Sequence, residues 1–241
     1  MERLDEVIRQ MNAEPLSFAV HVGDITAGLG PCTDEWLEAR RAQFARIRHP
    51  FVLLPGDNEW TDCHRTGFDP LERLRKWRTL FCPGKENALG ERQVGEYCEH
   101  LRWQAGRALF VGVNVPGSNN NLGRTPAMDA EHAQRMRAVL AWLDEGARLA
   151  REKNLRLVVL MHGDPFVTRQ PDGYAALMEK FSEIAAKNGG LALVHGDTHV
   201  FQDDEPRPGL RRIEVQGSPL VSWVRASFGP DRIRAQVVHN P

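Results

Sequence analysis

Four apolar runs in this chain end on the dipeptide Gly-Asp: HVGDI at 21–25, LPGDNEW at 54–60, LMHGDPF at 160–166 and LVHGDTHVF at 193–201. Random pairing of 21 Gly with 14 Asp in 241 residues would produce about one such pair, so the repetition carries information. Glycine lets the backbone turn sharply at the end of a strand. The next residue is then aimed beyond the carboxyl end of the strand, where open α/β sheets bind their ligands. Strand ends lying side by side would bring Asp24, Asp57, Asn58, His162, His195, Asp197 and His199 to one place. Carboxylate, carboxamide and imidazole suit Mn, Fe, Zn or Co, whereas a soft-metal site would use thiolates. The donors suffice for two ions sharing a bridging carboxylate. Two ions roughly 3.5–4 Å apart can activate a water and hold both oxygens of an in-line phosphoryl displacement.

Each residue also has a plainer reading. Asp24 alone would be a turn or helix-capping carboxylate, and His162 or His199 alone a core histidine; the set of four blocks favours ligation. His195 precedes its glycine and fits a supporting place behind a ligand. Glu59 either orients a ligand or caps a turn, and Asp164 forms a turn with Pro165. His21 and the tryptophans at 36, 60, 77, 142 and 223 read as packing residues, and His64 as a solvated loop histidine. The run GSNNN at 117–121 could meet phosphate through backbone N–H groups; a flexible polar loop is the simpler account.

The elements that must position these residues follow from periodicity. Helices are expected over 2–13, 34–47, 69–80 and 128–152, and strands over 18–22, 51–54, 108–115, 155–161 and 191–194. Closing strands are expected over 212–216, 220–226 and 233–238. Buried runs alternating with helices indicate an α/β fold, and the strand-rich end a second sheet. No repeat or linker divides the chain, so 1–241 reads as one domain. Net charge is -1 with 26% charged residues, which gives no bulk signature of a nucleic-acid partner. No run is long enough for a membrane span. The opening MERLDE has no apolar targeting region; as written the chain reads as cytoplasmic, and a leader missing upstream would make it periplasmic or secreted. Cys32, Cys63, Cys82 and Cys98 form no CxxC pair, which argues against a structural zinc finger. The simplest reading is four reduced thiols; the alternative pairs Cys32 with Cys63 and implies an oxidising compartment.

The blocks resemble those of the calcineurin-like metallophosphoesterases, whose order is D-x-H, GD, GNH(D/E), a lone His after a strand, and GHxH. Gly23-Asp24 matches GD, Gly56-Asp57-Asn58-Glu59 resembles GNHE, His162 matches the lone His, and Gly196-Asp197-Thr198-His199 resembles GHxH. The likeness spans about residues 18–201 and is nearest a bacterial subgroup with PGDNEW and HGDTH blocks. It implies a layered α/β/β/α sandwich of the metallophosphoesterase type. It also implies a metal-dependent phosphoric ester hydrolase acting on a small phosphate mono- or diester through a hydroxide bridging two divalent ions. Asp24 would bridge them, with His199 on the first and Asp57, His162 and Asp197 on the second; a one-residue shift would make Asn58 the ligand instead. Asn58 and Glu59 fall where the family places groups that assist catalysis.

Three departures accompany the likeness. No D-x-H block precedes Gly23-Asp24, so the first strand is expected to lie upstream of this chain. Asn58 stands where the family has a His, and a carboxamide cannot act as a general acid. Asp197 replaces a His; the added carboxylates favour Mn or Mg over zinc. These departures also allow a degenerate, non-catalytic relative used for binding or regulation.

Overall fold

The computed structural model describes residues 2–82, 89–167, 169–229 and 233–239. In chain order they form α1 (Glu2–Asn12), β1 (Ala19–His21), α2 (Asp34–Phe44), β2 (Phe51–Leu53), a 3₁₀ turn η1 (Thr61–Thr66), α3 (Pro70–Phe81), β3 (Glu91–Arg92), β4 (Leu101–Ala105), β5 (Ala108–Gly112) and a single turn α4 (Gly117–Asn120). After these come α5 (Pro126–Glu152), β6 (Arg156–Leu160), α6 (Ala175–Asn188), β7 (Leu191–His195), β8 (Gln202–Arg207), β9 (Leu210–Glu214), β10 (Trp223–Phe228) and β11 (Ile233–Val238). Local chemistry sets the helix starts. Thr33, Asp69 and Thr125 accept hydrogen bonds from the free N–H groups of the first turns of α2, α3 and α5. Pro70 and Pro126 occupy first helical positions, where no N–H is needed.

The large sheet runs β3-β4-β5-β6-β7-β9-β8. Its centre, β5, β6, β7 and β9, is parallel, and both edges are antiparallel. β1 and β2 pair in parallel, and β10 and β11 form a hairpin. Side-chain alternation divides the core. On β5 and β6, Leu109, Val111, Leu157 and Val159 pack against α5 and α6, while Phe110, Val158 and Leu160 face Val52, Leu54 and Ile233 across the gap between sheets. On β1 and β2, Ala19, Phe51 and Leu53 turn the other way, onto Leu37, Phe44, Trp77 and Phe81 of α2 and α3. The result is four layers, α/β/β/α.

The structure corrects the sequence reading at several elements. Helix α6, strands β3, β4 and β8, and the turn η1 were not expected. Helix α2 stops at Phe44 rather than at residue 47. GSNNN is no flexible loop: Ser118 to Asn121 all adopt left-handed backbone, with φ between 49° and 67°. Asn120 and Asn121 are fully buried. Arg135, itself fully buried, donates to Asn120 Oδ1 at 2.7 Å and to its carbonyl at 3.0 Å. Asparagine accepts left-handed backbone more readily than most residues, which is the physical meaning of the run.

All four cysteines are oxidised. Cys32 pairs with Cys63, the pairing weighed as the alternative, and Cys82 with Cys98, which was not anticipated. The reading of four reduced thiols is thereby overturned. Among the described residues, no helix is long and apolar enough to cross a membrane.

Candidate metal centre

The carboxyl ends of β1, β2, β6 and β7 and the turn after β5 meet at one edge of the sandwich. Two glycines permit the closest approach. A Cβ on Gly23 would lie 2.5 Å from the backbone of Gly56, so only glycine lets the ends of β1 and β2 touch. Asp24 and Asp57 follow directly. Asp24, Asp197 and His199 all hold positive φ, at 64°, 80° and 66°, a conformation uncommon outside glycine that aspartate and histidine adopt more often than most residues.

His162 sits at the centre. Its Nδ1 lies 2.9 Å from the carbonyl of Val22, which turns Nε2 inward. Nε2 is 3.3 Å from Asp24 Oδ1, 3.4 Å from Asp57 Oδ1 and 4.0 Å from Asp197 Oδ1, yet it makes no well-directed hydrogen bond although fully buried. His199 comes in from the open side, with Nε2 4.0 Å from Asp24 Oδ2 and Nδ1 2.8 Å from the Ser218 carbonyl. Asp197 Oδ2 accepts from Asp164 N at 3.0 Å.

The electrostatics are those of carboxylates crowded round one imidazole. Burial works to lower the His162 pKa, but the neighbouring negative charges of Asp24, Asp57 and Asp197 together raise it well above its ordinary value. Burial opposes ionisation of Asp57, yet His162 holds it below the usual carboxylate range. Asp197 is pushed up, first by burial. His199 is raised chiefly by the Asp24 carboxylate beside it. The carboxylates thus need positive charge beside them, and one histidine proton supplies part of it.

These features fit divalent ions. A buried nitrogen with no proper hydrogen bond faces carboxylate oxygens, and Asp24, Asp57 and His162 present donor atoms within 4.8 Å of one another. The wall opposite is bare: a Cβ on Gly117 would lie 2.5 Å from Asp57 Oδ2 and 2.7 Å from Asp197 Oδ1. Gly117→Ala is therefore expected to push both carboxylates out of place and to weaken Mn binding by about 10-fold or more, read by titration calorimetry. Unchanged affinity would show that this wall does not set the donor positions.

The remaining candidates fall differently. Asn58 directs Nδ2 to Asp24 Oδ2 at 2.7 Å and its backbone N–H to Asp24 Oδ1 at 3.2 Å, so a donor rather than an oxygen faces the cluster. Glu59, a catalytic candidate in the sequence, is fully buried and does not line the cleft. Its Oε1 accepts from Gly56 N at 2.7 Å, and burial, reinforced by the Asp24 charge, raises its pKa to about 8. It holds the turn that carries Asp57. His195 is also fully buried and does not line the cleft, and burial lowers its pKa to about 4. His64 is exposed, as expected.

A cleft of about 400 Å³ opens over the cluster, lined by Asp24, Asp57, Asn58, Asp197 and His199 and also by residues the sequence did not single out. Asp62 and Arg65 are among these, while Ser118 comes from the GSNNN run. Ser118 Oγ donates to Asp62 at 2.8 Å, and Asp62 pairs with both Arg65 and Arg124. Asp164 lines the cleft as well, besides accepting from Phe166 N in the turn read from the sequence. The signal for Asp62 and Arg65 was their place just after the PGDNEW block.

No protein-family model matches the sequence, and no curated protein sequence does either. Solved structures do match. A dimetal phosphatase from Danio rerio superposes with a TM-score of 0.67 at 16% identity, covering 98% of this chain and 85% of that one. The sulfate thiohydrolase SoxB of Thermus thermophilus gives a TM-score of 0.57 at 15% identity, covering 98% of this chain and 42% of that one. With the four layers already described, these likenesses give the chain a layered α/β/β/α fold of the metallophosphoesterase type.

Proposed function

We propose that this chain is a metal-dependent hydrolase of phosphate esters. The observation that carries the reading is the convergence of Asp24, Asp57 and Asp197 on His162, whose buried Nε2 has no hydrogen bond of its own, with His199 on the far side of Asp24. The fold shared with a dimetal phosphatase and a sulfate thiohydrolase supports metal-dependent hydrolysis in general. Asp24, with an oxygen towards each histidine, would be shared between two divalent ions. His199 would complete the donors this chain offers to one ion, and Asp57, His162 and Asp197 those it offers to the other. Their oxygen-rich chemistry favours Mn or Mg. When bound, the ions would supply an activated water and neutralise charge developing on the phosphoryl oxygens.

The chain's own groups have separate tasks. Asn58 fixes Asp24 through two hydrogen bonds. Its carboxamide has no proton to give a departing alkoxide. Esters with acidic leaving groups are therefore expected to turn over far faster than alkyl esters, a steeper dependence than an enzyme with a general acid would show.

Mn-loaded protein is expected to hydrolyse nitrophenyl phosphate or its diester, and EDTA to stop it reversibly. Binding of Mn without turnover of either ester would favour a second reading, a protein that holds ions and phosphates without hydrolysis; the missing acid at Asn58 supports that alternative. Failure to bind divalent ions at all would sink both.

A further inference from the structure

The cleft is acidic on its floor and basic at its lip. Asp24, Asp57, Asp164 and Asp197 line it together with two arginines, Arg65 and Arg169. Arg65 projects from η1. Its Nη2 pairs with Asp62 at 2.8 Å, and its Nη1 lies 3.4 Å from the Gly28 carbonyl. A Cβ on Gly28 would be 3.2 Å from both Arg65 Nη1 and Asn58 Oδ1, so these atoms are at most twice that distance apart. Asn58 in turn touches Asp24. The guanidinium thus stands one side chain beyond the candidate ligands.

Its charge is not cancelled. Asp62 is a single carboxylate shared by Arg65 and Arg124, which leaves one positive charge on the trio. Arg169 adds another from the loop after β6; it is exposed and has no ion-pair partner among the described residues. Val167, 51% exposed, lines the same cleft. A phosphoryl group bound over Asp24 and Asp57 would leave both arginines facing whatever lies a few bonds further along the substrate. Guanidinium groups recognise carboxylate and phosphate through paired N–H donors.

Building on the phosphoesterase reading above, we propose that the substrate carries a second anionic group, a phosphate or carboxylate, separated from the scissile phosphate by a short apolar spacer and received by Arg65 and Arg169. The test compares butane-1,4-diol bisphosphate with 4-hydroxybutyl phosphate, titrated calorimetrically into Mn-loaded protein. The bisphosphate is expected to bind about 10-fold tighter or better. Replacing both arginines by alanine should bring the ratio close to one, and replacing both by lysine should keep part of it; single variants give the same reading if the double alanine variant is unstable. No preference in the wild-type protein, or a preference that survives loss of both arginines, overturns the proposal. Hydrolysis followed in the same samples separates it from the reading beneath it. Discrimination without turnover would retain the two-anion site and remove the phosphoesterase. Turnover without discrimination would do the reverse.

Discussion

His162→Ala is expected to lower the stability of the EDTA-treated protein by about 3–5 kcal/mol, the usual cost of removing one partner from a buried charge cluster. The metal-free fold holds Asp24, Asp57 and Asp197 around one imidazole, with two of the three carboxylates within 3.4 Å of Nε2. Without a cation they repel one another in a poorly solvated place. His162→Gln should be almost as damaging, because an amide keeps some volume and hydrogen bonding but not the charge. Excess Mn should restore part of the loss in either variant, since the ion replaces the missing positive charge, although its affinity should drop by about 100-fold or more when a ligand is removed. Chemical denaturation with and without Mn measures all of this. Equal stability of wild type and His162→Ala in EDTA would refute the electrostatic account.

The pH dependence follows in sign from the same group. The folded pKa of His162 is raised above an unfolded value of about 6.5. Its contribution to the metal-free fold is therefore complete below about 6.5 and disappears as pH rises through the higher folded value. Metal binding needs the neutral ring, so it should release a proton and tighten with pH over that window. Calorimetry in buffers of different ionisation heat would count the proton, and the count should fall away in His162→Gln.

The same cluster explains which parts of the molecule could be read in advance. Buried parallel strands are continuous apolar runs, and the Gly-Asp that ends each is conspicuous; hence β1, β2, β6 and β7 and the convergence of Asp24, Asp57, His162 and Asp197. Strand β4 was hidden because Arg102 interrupts its pattern. That arginine is buried, pairs with Glu91 and Glu145 and lies over the Trp142 ring at 4.1 Å, contacts with no periodic trace in sequence. Strand β8, QDDEPR, is an exposed edge, where charge and proline guard against further pairing and erase the apolar alternation. Helix α6 did leave a trace: Leu177, Met178, Phe181, Ile184 and Ala185 share its buried face at helical spacing. Glu59 stayed open in the sequence between orienting a ligand and capping a turn, because only three-dimensional packing shows its carboxyl turned onto Gly56 N. The lip arginines could not be found from spacing, since Arg65 comes from η1 and Arg169 from the loop after β6, far apart in the chain.

Removing the Cys32–Cys63 bridge is expected to cost about 3–4 kcal/mol, the loop-closure entropy of a ring of its size, and to impair the site as well. The bridge spans a sequence separation of 31 residues and joins the loop after Asp24 to η1. Both sulfur atoms lie 3.4 Å from the carbonyl of Asn58, the residue whose side chain fixes Asp24. Arg73 donates to the Cys32 carbonyl at 2.8 Å and ties the same segment to α3. The second bridge, Cys82–Cys98, closes a separation of 16 residues. It links the end of α3 to the segment before β4 and has no residue in the cleft, so it serves as an internal control. Cys82→Ala with Cys98→Ala should lower stability by about 3 kcal/mol on the same entropy argument and leave Mn affinity unchanged. Cys32→Ala with Cys63→Ala should lower stability comparably and also weaken Mn binding by about 10-fold, as loss of a group supporting a ligand does. Denaturation and metal titration on the two double variants separate the effects. If both lose stability but neither loses metal affinity, the first bridge only closes a loop and plays no part in holding Asn58 against Asp24.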